Sequence, residues 1–285
     1  MNHHLVTAPS GIAYPVWLAG TGDPLLLLHG FTGSHETWEH LSKAFADDHL
    51  VITLDLPGHG DSRLDPSQDL SFARVVDDLA WIVDTLAGGK TDLAGYSMGG
   101  RLALALAVSW PDRVRRLILE SASPGIADVD ERLARHRADE QLASLILSEG
   151  LDAFVARWET MPMWESQAVL SEPVRERQRQ FRLGHTAAGL AANLRATGTG
   201  AQDPYWDRLG ELTVPVMLIA GELDQKFAQI AALMHDAMPD SRLEVVGNAG
   251  HAVHLEQPNR YSQLVSEFLG NQEQSSRLAK GNVHD

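Results

Sequence analysis

Gly95-Tyr96-Ser97-Met98-Gly99-Gly100-Arg101 joins two segments of opposite character. Before it, Asp92-Leu-Ala94 is the apolar end of a strand-length run. After it, Met98 to Val108 is rich in Ala and Leu on all sides, the pattern of a helix buried near the centre of a domain. A serine between strand and helix, flanked by residues without side chains, has a direct physical reading. The glycines let the two elements approach closely enough to push the hydroxyl out at the turn. The helix N-terminus behind it offers backbone N–H groups to an anion. The spacing is Gly-x-Ser-x-Gly, a turn that exposes a nucleophilic serine.

Similar apolar runs recur on either side. Pro24 to Leu28 ends in His29-Gly30, Leu50 to Leu54 in Asp55, and Arg116 to Leu119 in Glu120. Val216 to Ala220 ends in Gly221, and Leu243 to Val246 in Gly247. Amphipathic segments separate them, such as Phe72 to Leu86 with Val75, Val76, Leu79, Ile82, Val83 and Leu86 on one side. The alternation predicts an α/β fold, a mostly parallel central sheet with helices on both faces. Between about Pro124 and Leu212 only helical patterns occur: Asp128–Gly150, Leu151–Thr160, Glu172–Leu183 and Ala187–Ala196. We expect a core of residues 1–123 and 213–270 and a helical cap of 124–212 over the strand C-termini, where open sheets bind ligands. The bland alternative is a helical bundle packed elsewhere. Residues 271–285 are polar and are expected to be a disordered tail.

Composition removes several function classes. The 285 residues are 44% hydrophobic and 21% charged, an ordinary globular mixture. No apolar run approaches the ~20 residues of a membrane helix. Met1 to Thr7 carries two His and no Lys or Arg, unlike a secretory leader, so a cytoplasmic protein is expected. The absence of cysteine excludes disulfides, thiolate catalysis and Cys-ligated metals. The net charge of 23 − 38 = −15 argues against a nucleic-acid partner. Of the basic residues, 19 are Arg and four are Lys. Genomic base composition can produce that bias, but Arg also suits bidentate carboxylate recognition.

An exposed serine needs a base, and the base an orienting acid, in the chain order Ser, acid, His for this kind of turn. Asp224, in Gly221-Glu-Leu-Asp224, and His251, in Asn248-Ala-Gly-His251, both follow predicted strands and fall on the same sheet edge as Ser97. Glu222 lies too close to its strand, and His254 sits at a different loop position. The plain alternatives are a helix-capping Asp224 and an ordinary loop histidine. His29-Gly-Phe31-Thr-Gly33 follows the first long apolar run and nominates the Phe31 backbone N–H, with that of Met98, as an oxyanion hole. Gly58-His-Gly60 lacks the further features of a nucleotide loop and reads as a structural turn. Arg101, four residues after Ser97, lies one turn along the same helix face and suits a substrate carboxylate. Its alternative is an ion pair with a core acid. The nine Arg between Gly125 and Gly200 face eleven acidic residues, so most are expected to be solvated helix charges.

From about Tyr14 to Leu269 the chain resembles the α/β-hydrolases with a helical cap. In detail it is similar to the MenH-type 2-succinyl-6-hydroxy-2,4-cyclohexadiene-1-carboxylate synthases of menaquinone biosynthesis. The stretches that carry this are Gly95 to Arg101, Glu120-Ser-Ala-Ser-Pro-Gly125, Asp130 to Asp139, and Trp158 upstream of Pro162. Gly221-Glu-Leu-Asp-Gln-Lys-Phe227 and Ala249 to Pro258 complete the set. Met98 stands where relatives often carry Leu, a position that contributes only its backbone.

The resemblance implies a lyase that eliminates pyruvate from 2-succinyl-5-enolpyruvyl-6-hydroxy-3-cyclohexene-1-carboxylate, a tricarboxylate, without metal or organic cofactor. It implies Ser97, Asp224 and His251 as catalytic, with Arg101, Arg135 and Arg182 anchoring substrate and Tyr96 and Trp158 lining the pocket. Two assignments of the base stay open, with Ser97 relaying the proton or only positioning His251. The rival functions are a carboxylesterase or C–C bond hydrolase with Ser97 as nucleophile, and a non-catalytic ligand-binding protein of the same fold.

Overall fold

The computed structural model describes residues 2–64, 68 and 70–281, with side chains as far as residue 270. Its strands are β1 (Asn2–Thr7), β2 (Ala13–Ala19), β3 (Asp23–Leu28), β4 (His49–Leu54), β5 (Thr91–Tyr96), β6 (Val114–Glu120), β7 (Val216–Gly221) and β8 (Ser241–Val246). They form one sheet in the order β1-β2-β4-β3-β5-β6-β7-β8. The pairs from β4 through β3 to β8 are parallel, as the apolar runs predict. β1 and β2 add an antiparallel edge, and β1 is exposed along most of its length.

The helices are α1 (Glu39–Phe45), α2 (Phe72–Leu86), α3 (Met98–Ser109), α4 (Val129–Trp158), α5 (Glu172–Leu183), α6 (Ala187–Thr197), α7 (Gln225–Ala237), α8 (Val253–Glu256) and α9 (Pro258–Gly281). α3 is buried along nearly its whole length at the sheet centre, which accounts for its all-round Ala and Leu. α4 consists of two helical stretches that meet at Gly150, where the sequence patterns of 128–150 and 151–160 place the boundary. Gly150, at φ 83° and ψ 173°, is non-helical and kinks the chain there. The side chains of the expected disordered tail, 271–285, and the backbone of 282–285 lie outside the described residues.

Residues 124–212 contribute α4, α5, α6 and the 3-10 segment Pro162–Val169, with their own apolar cluster of Ala143, Ile146, Phe154, Val155, Leu190, Ala191 and Leu194. α6 seats on the turn after β4. A Cβ on Gly58 would meet the Gly189 carbonyl oxygen at 2.3 Å, so the two backbones are in direct contact. Asn193 Nδ2 donates to the Pro57 carbonyl at 2.8 Å. His185 ties the same region to the loop after β3. Its Nδ1 accepts from Gly60 N–H at 2.9 Å, and its Nε2–H donates to the Thr32 carbonyl at 2.9 Å. His29 is held in the same way, with Nδ1–H donating to the Gly30 carbonyl at 2.8 Å and Nε2 accepting from Leu56 N–H at 3.0 Å.

In each ring one nitrogen must accept, so both histidines are neutral here. Burial pushes His29 down to about 4 and also lowers His59 and His185. In the unfolded chain the same rings titrate near 6.5. Between these limits the unfolded state binds more protons, so stability falls as pH drops from about 6.5 towards 4. His29 alone contributes a loss of about 3 kcal/mol over that window. We therefore expect a melting temperature that is level above neutrality and declines steeply below pH 6. His29→Asn should flatten the decline, and an equally steep decline in that variant would count against this assignment.

Candidate active site

The site begins with a close approach. A Cβ on Gly99 would lie 2.2 Å from the Leu28 carbonyl oxygen, and one on Gly95 would lie 2.4 Å from that of Gly99. Neither position tolerates a side chain, so β3, β5 and α3 meet backbone to backbone. The turn between them forces Ser97 to φ 51°, in the left-handed region that non-glycine residues rarely adopt. Its N–H is tied to the Glu120 carbonyl at 2.9 Å, which holds the turn against β6.

Ser97 Oγ lies 3.0 Å from His251 Nε2, and His251 Nδ1 lies 2.6 Å from Asp224 Oδ2. With Asp224 ionised, the Nδ1–H donates to the carboxylate and Nε2 accepts the serine hydroxyl. Asp224 also caps α7, accepting from Phe227 N–H at 3.3 Å. The capping and orienting readings of that residue thus hold together. His251 is 1% exposed and packed by the rings of Tyr96, Trp164 and Phe227. Its loop is clamped by Glu256, which accepts from Gly250 N–H at 2.7 Å and Ala252 N–H at 3.3 Å. His254 pairs instead with buried Glu120 at 2.9 Å, and Glu222 accepts from Asn248 N–H at 3.4 Å.

Among the described residues neither Phe31 N–H nor Met98 N–H has an acceptor. The first sits in the loop after β3 and the second opens α3. Both residues, with Ser97 and His251, line a cavity of about 950 Å³. Tyr96, Arg101, Arg135 and Trp158 line it too, and both the core and residues 124–212 contribute to its wall.

Arg101 is 8% exposed, and its Nη1 donates to Gln202 Oε1 at 3.0 Å. No carboxylate lies within ion-pair distance of it among the described residues. Burial, reinforced by Arg135, lowers it to about 10, so it keeps its charge at neutral pH. A buried cation whose partner is a neutral amide is costly unless something else completes it. Arg135 is half-exposed and donates to Asp139 Oδ1 at 2.7 Å.

Arg182 is not brought to this cavity. Its Nη1 donates to Glu159 Oε1 at 3.0 Å, and its guanidinium lies over the Trp164 ring. It lines an adjoining smaller cavity on the far side of Trp164. Glu159 pairs with it there, so Arg182 borders the adjoining cavity and not the one that holds Ser97. Sequence reasoning did not single out Trp164 or Gln202. Trp164 lies in a 3-10 segment without helical periodicity, and Gln202 in a polar turn. Neither surroundings distinguish a functional side chain.

Residues 23–258 match the α/β-hydrolase-fold family. A Bacillus subtilis (strain 168) protein assigned as a 2-succinyl-6-hydroxy-2,4-cyclohexadiene-1-carboxylate synthase is 45% identical over 93% of this chain and 97% of its own length. The synthase of Enterobacter sp. (strain 638) is 32% identical over 86% of this chain and 91% of its own. The solved structure of MenH from S. aureus superposes with a TM-score of 0.87 at 34% identity, over 91% of this chain and 98% of that one. A buried guanidinium without an ion-pair partner beside a serine–histidine–aspartate array, together with likeness over nearly whole chains, places this protein in the MenH-type 2-succinyl-6-hydroxy-2,4-cyclohexadiene-1-carboxylate synthase family of the α/β-hydrolase fold.

Proposed function

We propose that this protein eliminates pyruvate from 2-succinyl-5-enolpyruvyl-6-hydroxy-3-cyclohexene-1-carboxylate, forming 2-succinyl-6-hydroxy-2,4-cyclohexadiene-1-carboxylate for menaquinone biosynthesis in the cytoplasm. The observation that carries this reading is Arg101, a buried cation one helical turn from Ser97 with no carboxylate of its own. A tricarboxylate substrate supplies what that guanidinium lacks. Half-exposed Arg135 offers a second positive contact in the same cavity, and Tyr96 and Trp158 give the ring apolar walls.

The chemistry follows from the bonds that change. The ring proton on the carbon bearing the succinyl group is acidified by the adjacent ketone. Ser97 Oγ removes it while His251 Nε2 takes the serine proton, since a neutral hydroxyl is too weak a base alone. Asp224 holds His251 in the tautomer that accepts at Nε2 and stabilises the imidazolium. The electron pair first resides on the ketone oxygen, where the Phe31 and Met98 N–H groups meet it. It then moves through the ring double bond to expel the enolpyruvyl oxygen. The leaving enolpyruvate takes up a proton at carbon and becomes pyruvate. Arg101 and Arg135 hold the carboxylates so that this C–H bond faces Ser97.

The same array suits a nucleophilic serine, as in a carboxylesterase, because both N–H donors are free. The two readings separate on substrate. Purified protein should release pyruvate from the enolpyruvyl substrate with no added cofactor, and Ser97→Ala should abolish it. Efficient cleavage of simple esters without pyruvate release would instead favour the esterase.

Arg101→Ala should lower kcat/KM for the tricarboxylate by about 10²–10³, the expected loss for a buried charge pair. Cleavage of a small neutral ester should fall far less, and equal losses on both would mark Arg101 as structural. Asp224→Asn should separate that residue's two roles. Asparagine caps helices as well as aspartate does, so the melting temperature should hold. Turnover should drop about 10³–10⁴-fold because the tautomer is no longer enforced. A large fall in melting temperature would show that the cap dominates.

A further inference from the structure

We propose that Ser121 is a specificity-determining residue, its hydroxyl donating to a carboxylate oxygen of the substrate; this rests on the functional reading above. β5 and β6 pair with Tyr96 opposite Glu120, so Ser97 and Ser121 leave the sheet as adjacent residues at the ends of neighbouring strands. Both adopt the left-handed conformation, Ser97 at φ 51° and Ser121 at φ 46°. The first is explained by the turn it must make and by His251. The second has no comparable partner. Ser121 N–H continues the sheet by donating to the Ile219 carbonyl at 2.9 Å, but its Oγ has no hydrogen-bond partner and the residue is only 2% exposed.

The fold thus carries two costs at one residue. A left-handed backbone is unfavourable for any side chain with a Cβ, and a buried hydroxyl without a partner loses its hydration for nothing. Glycine would remove both. Strain and an orphaned polar atom at one position point to a partner that arrives with the ligand. Ser121 lines the same cavity as Ser97 and Arg101, so the residue borders the space that substrate would fill, with its Oγ just beneath that surface.

The surroundings identify the chemistry of that partner. A Cβ on Gly100 would meet Ala122 Cβ at 2.6 Å, so the segment after Ser121 runs along the first turn of α3. That turn presents the free Met98 N–H and leads into Arg101. A helix N-terminus and a guanidinium both favour negative charge. A hydroxyl beside them serves as donor to a carboxylate rather than as acceptor.

Ser121→Gly and Ser121→Ala, compared with wild type in steady-state pyruvate release and in thermal melting, decide the matter. The expected result is a kcat/KM at least tenfold lower in both variants, carried mainly by KM, as for a lost hydrogen bond to a charged group. The melting temperature of the glycine variant should be unchanged or raised by about 2–4 °C, since strain is relieved. Both variants within twofold of wild type would overturn the proposal. So would loss in the glycine variant alone, which would mark a backbone effect. A fall of more than about 5 °C in both variants would mark a packing role and overturn it as well. An active wild type with unaffected variants sinks only this inference, whereas a wild type that releases no pyruvate sinks the functional reading and this one with it.

Discussion

The backbone contact between Gly99 and the end of β3 is the constraint on which the site depends. Because α3 starts against the Leu28 carbonyl, the loop after β3 must begin beside the first turn of α3. That one approach brings the loop that carries Phe31 to the first turn of α3, turns Ser97 outward, and fixes where Arg101 stands one turn further on. Three functions are therefore referenced to a single helix start. The helix is buried along nearly its whole length in the sheet's main apolar cluster, so it has little freedom to drift. Precision in the reacting groups comes from the densest part of the core rather than from the loops that carry His251 and Asp224. Those loops need their own fastening, which Glu256 supplies for the histidine and the α7 cap supplies for the aspartate.

Charge is distributed in the opposite sense to the molecule's net −15. Arg182 and Arg179 both turn to Glu159, Arg195 to Glu140 and Arg135 to Asp139, so each of these guanidinium groups has a carboxylate partner. Arg101 instead faces Gln202. An acid at position 202 would satisfy the guanidinium and compete with any incoming carboxylate, whereas an amide orients it and leaves its charge available. The histidines beneath the cap follow a different logic. His29 and His185 use both ring nitrogens to join backbone groups, and a proton on either would replace an acceptor with a second donor. The neutral His185 ring fastens residues 124–212 to the core loops, whereas the charged Arg101 is left with an amide partner.

The parallel sheet was legible because its central strands are apolar runs that stop at turn residues, and burial on both faces leaves that mark; the half-exposed β8 showed only through Leu243 to Val246. β1 and β2 were not, because an exposed antiparallel edge needs no apolar run. The order Ser97, Asp224, His251 could be read because each residue follows a strand end, and strand ends share one edge of the sheet. Arg182 could not be placed in the same way. Spacing along α5 shows that Arg175, Arg179 and Arg182 share a face, but the acid that meets Arg179 and Arg182 lies at Glu159, beyond the end of another helix. Gly150 could be read as a helix boundary because glycine alone adopts that non-helical backbone cheaply, and the stretches on both sides of it still pack against α6.

The triad geometry alone does not decide between base and nucleophile, since Ser97 Oγ at 3.0 Å from Nε2 suits either. What separates them is which substrate atom is held above the hydroxyl. In an esterase the oxyanion donors take the oxygen of the carbon under attack, so that carbon must sit over Oγ. In an elimination the same donors take the ketone oxygen, while the hydrogen one carbon away must sit over Oγ. The difference is about one bond length, too small for the backbone to choose but within the control of anchors at the far end of the molecule. On the proposed reading, Arg101 and Arg135 would shift the ring by that amount by holding its carboxylates at fixed places in the cavity. On that reading the reaction type is a matter of registration, set by guanidinium groups that never touch the bond being broken.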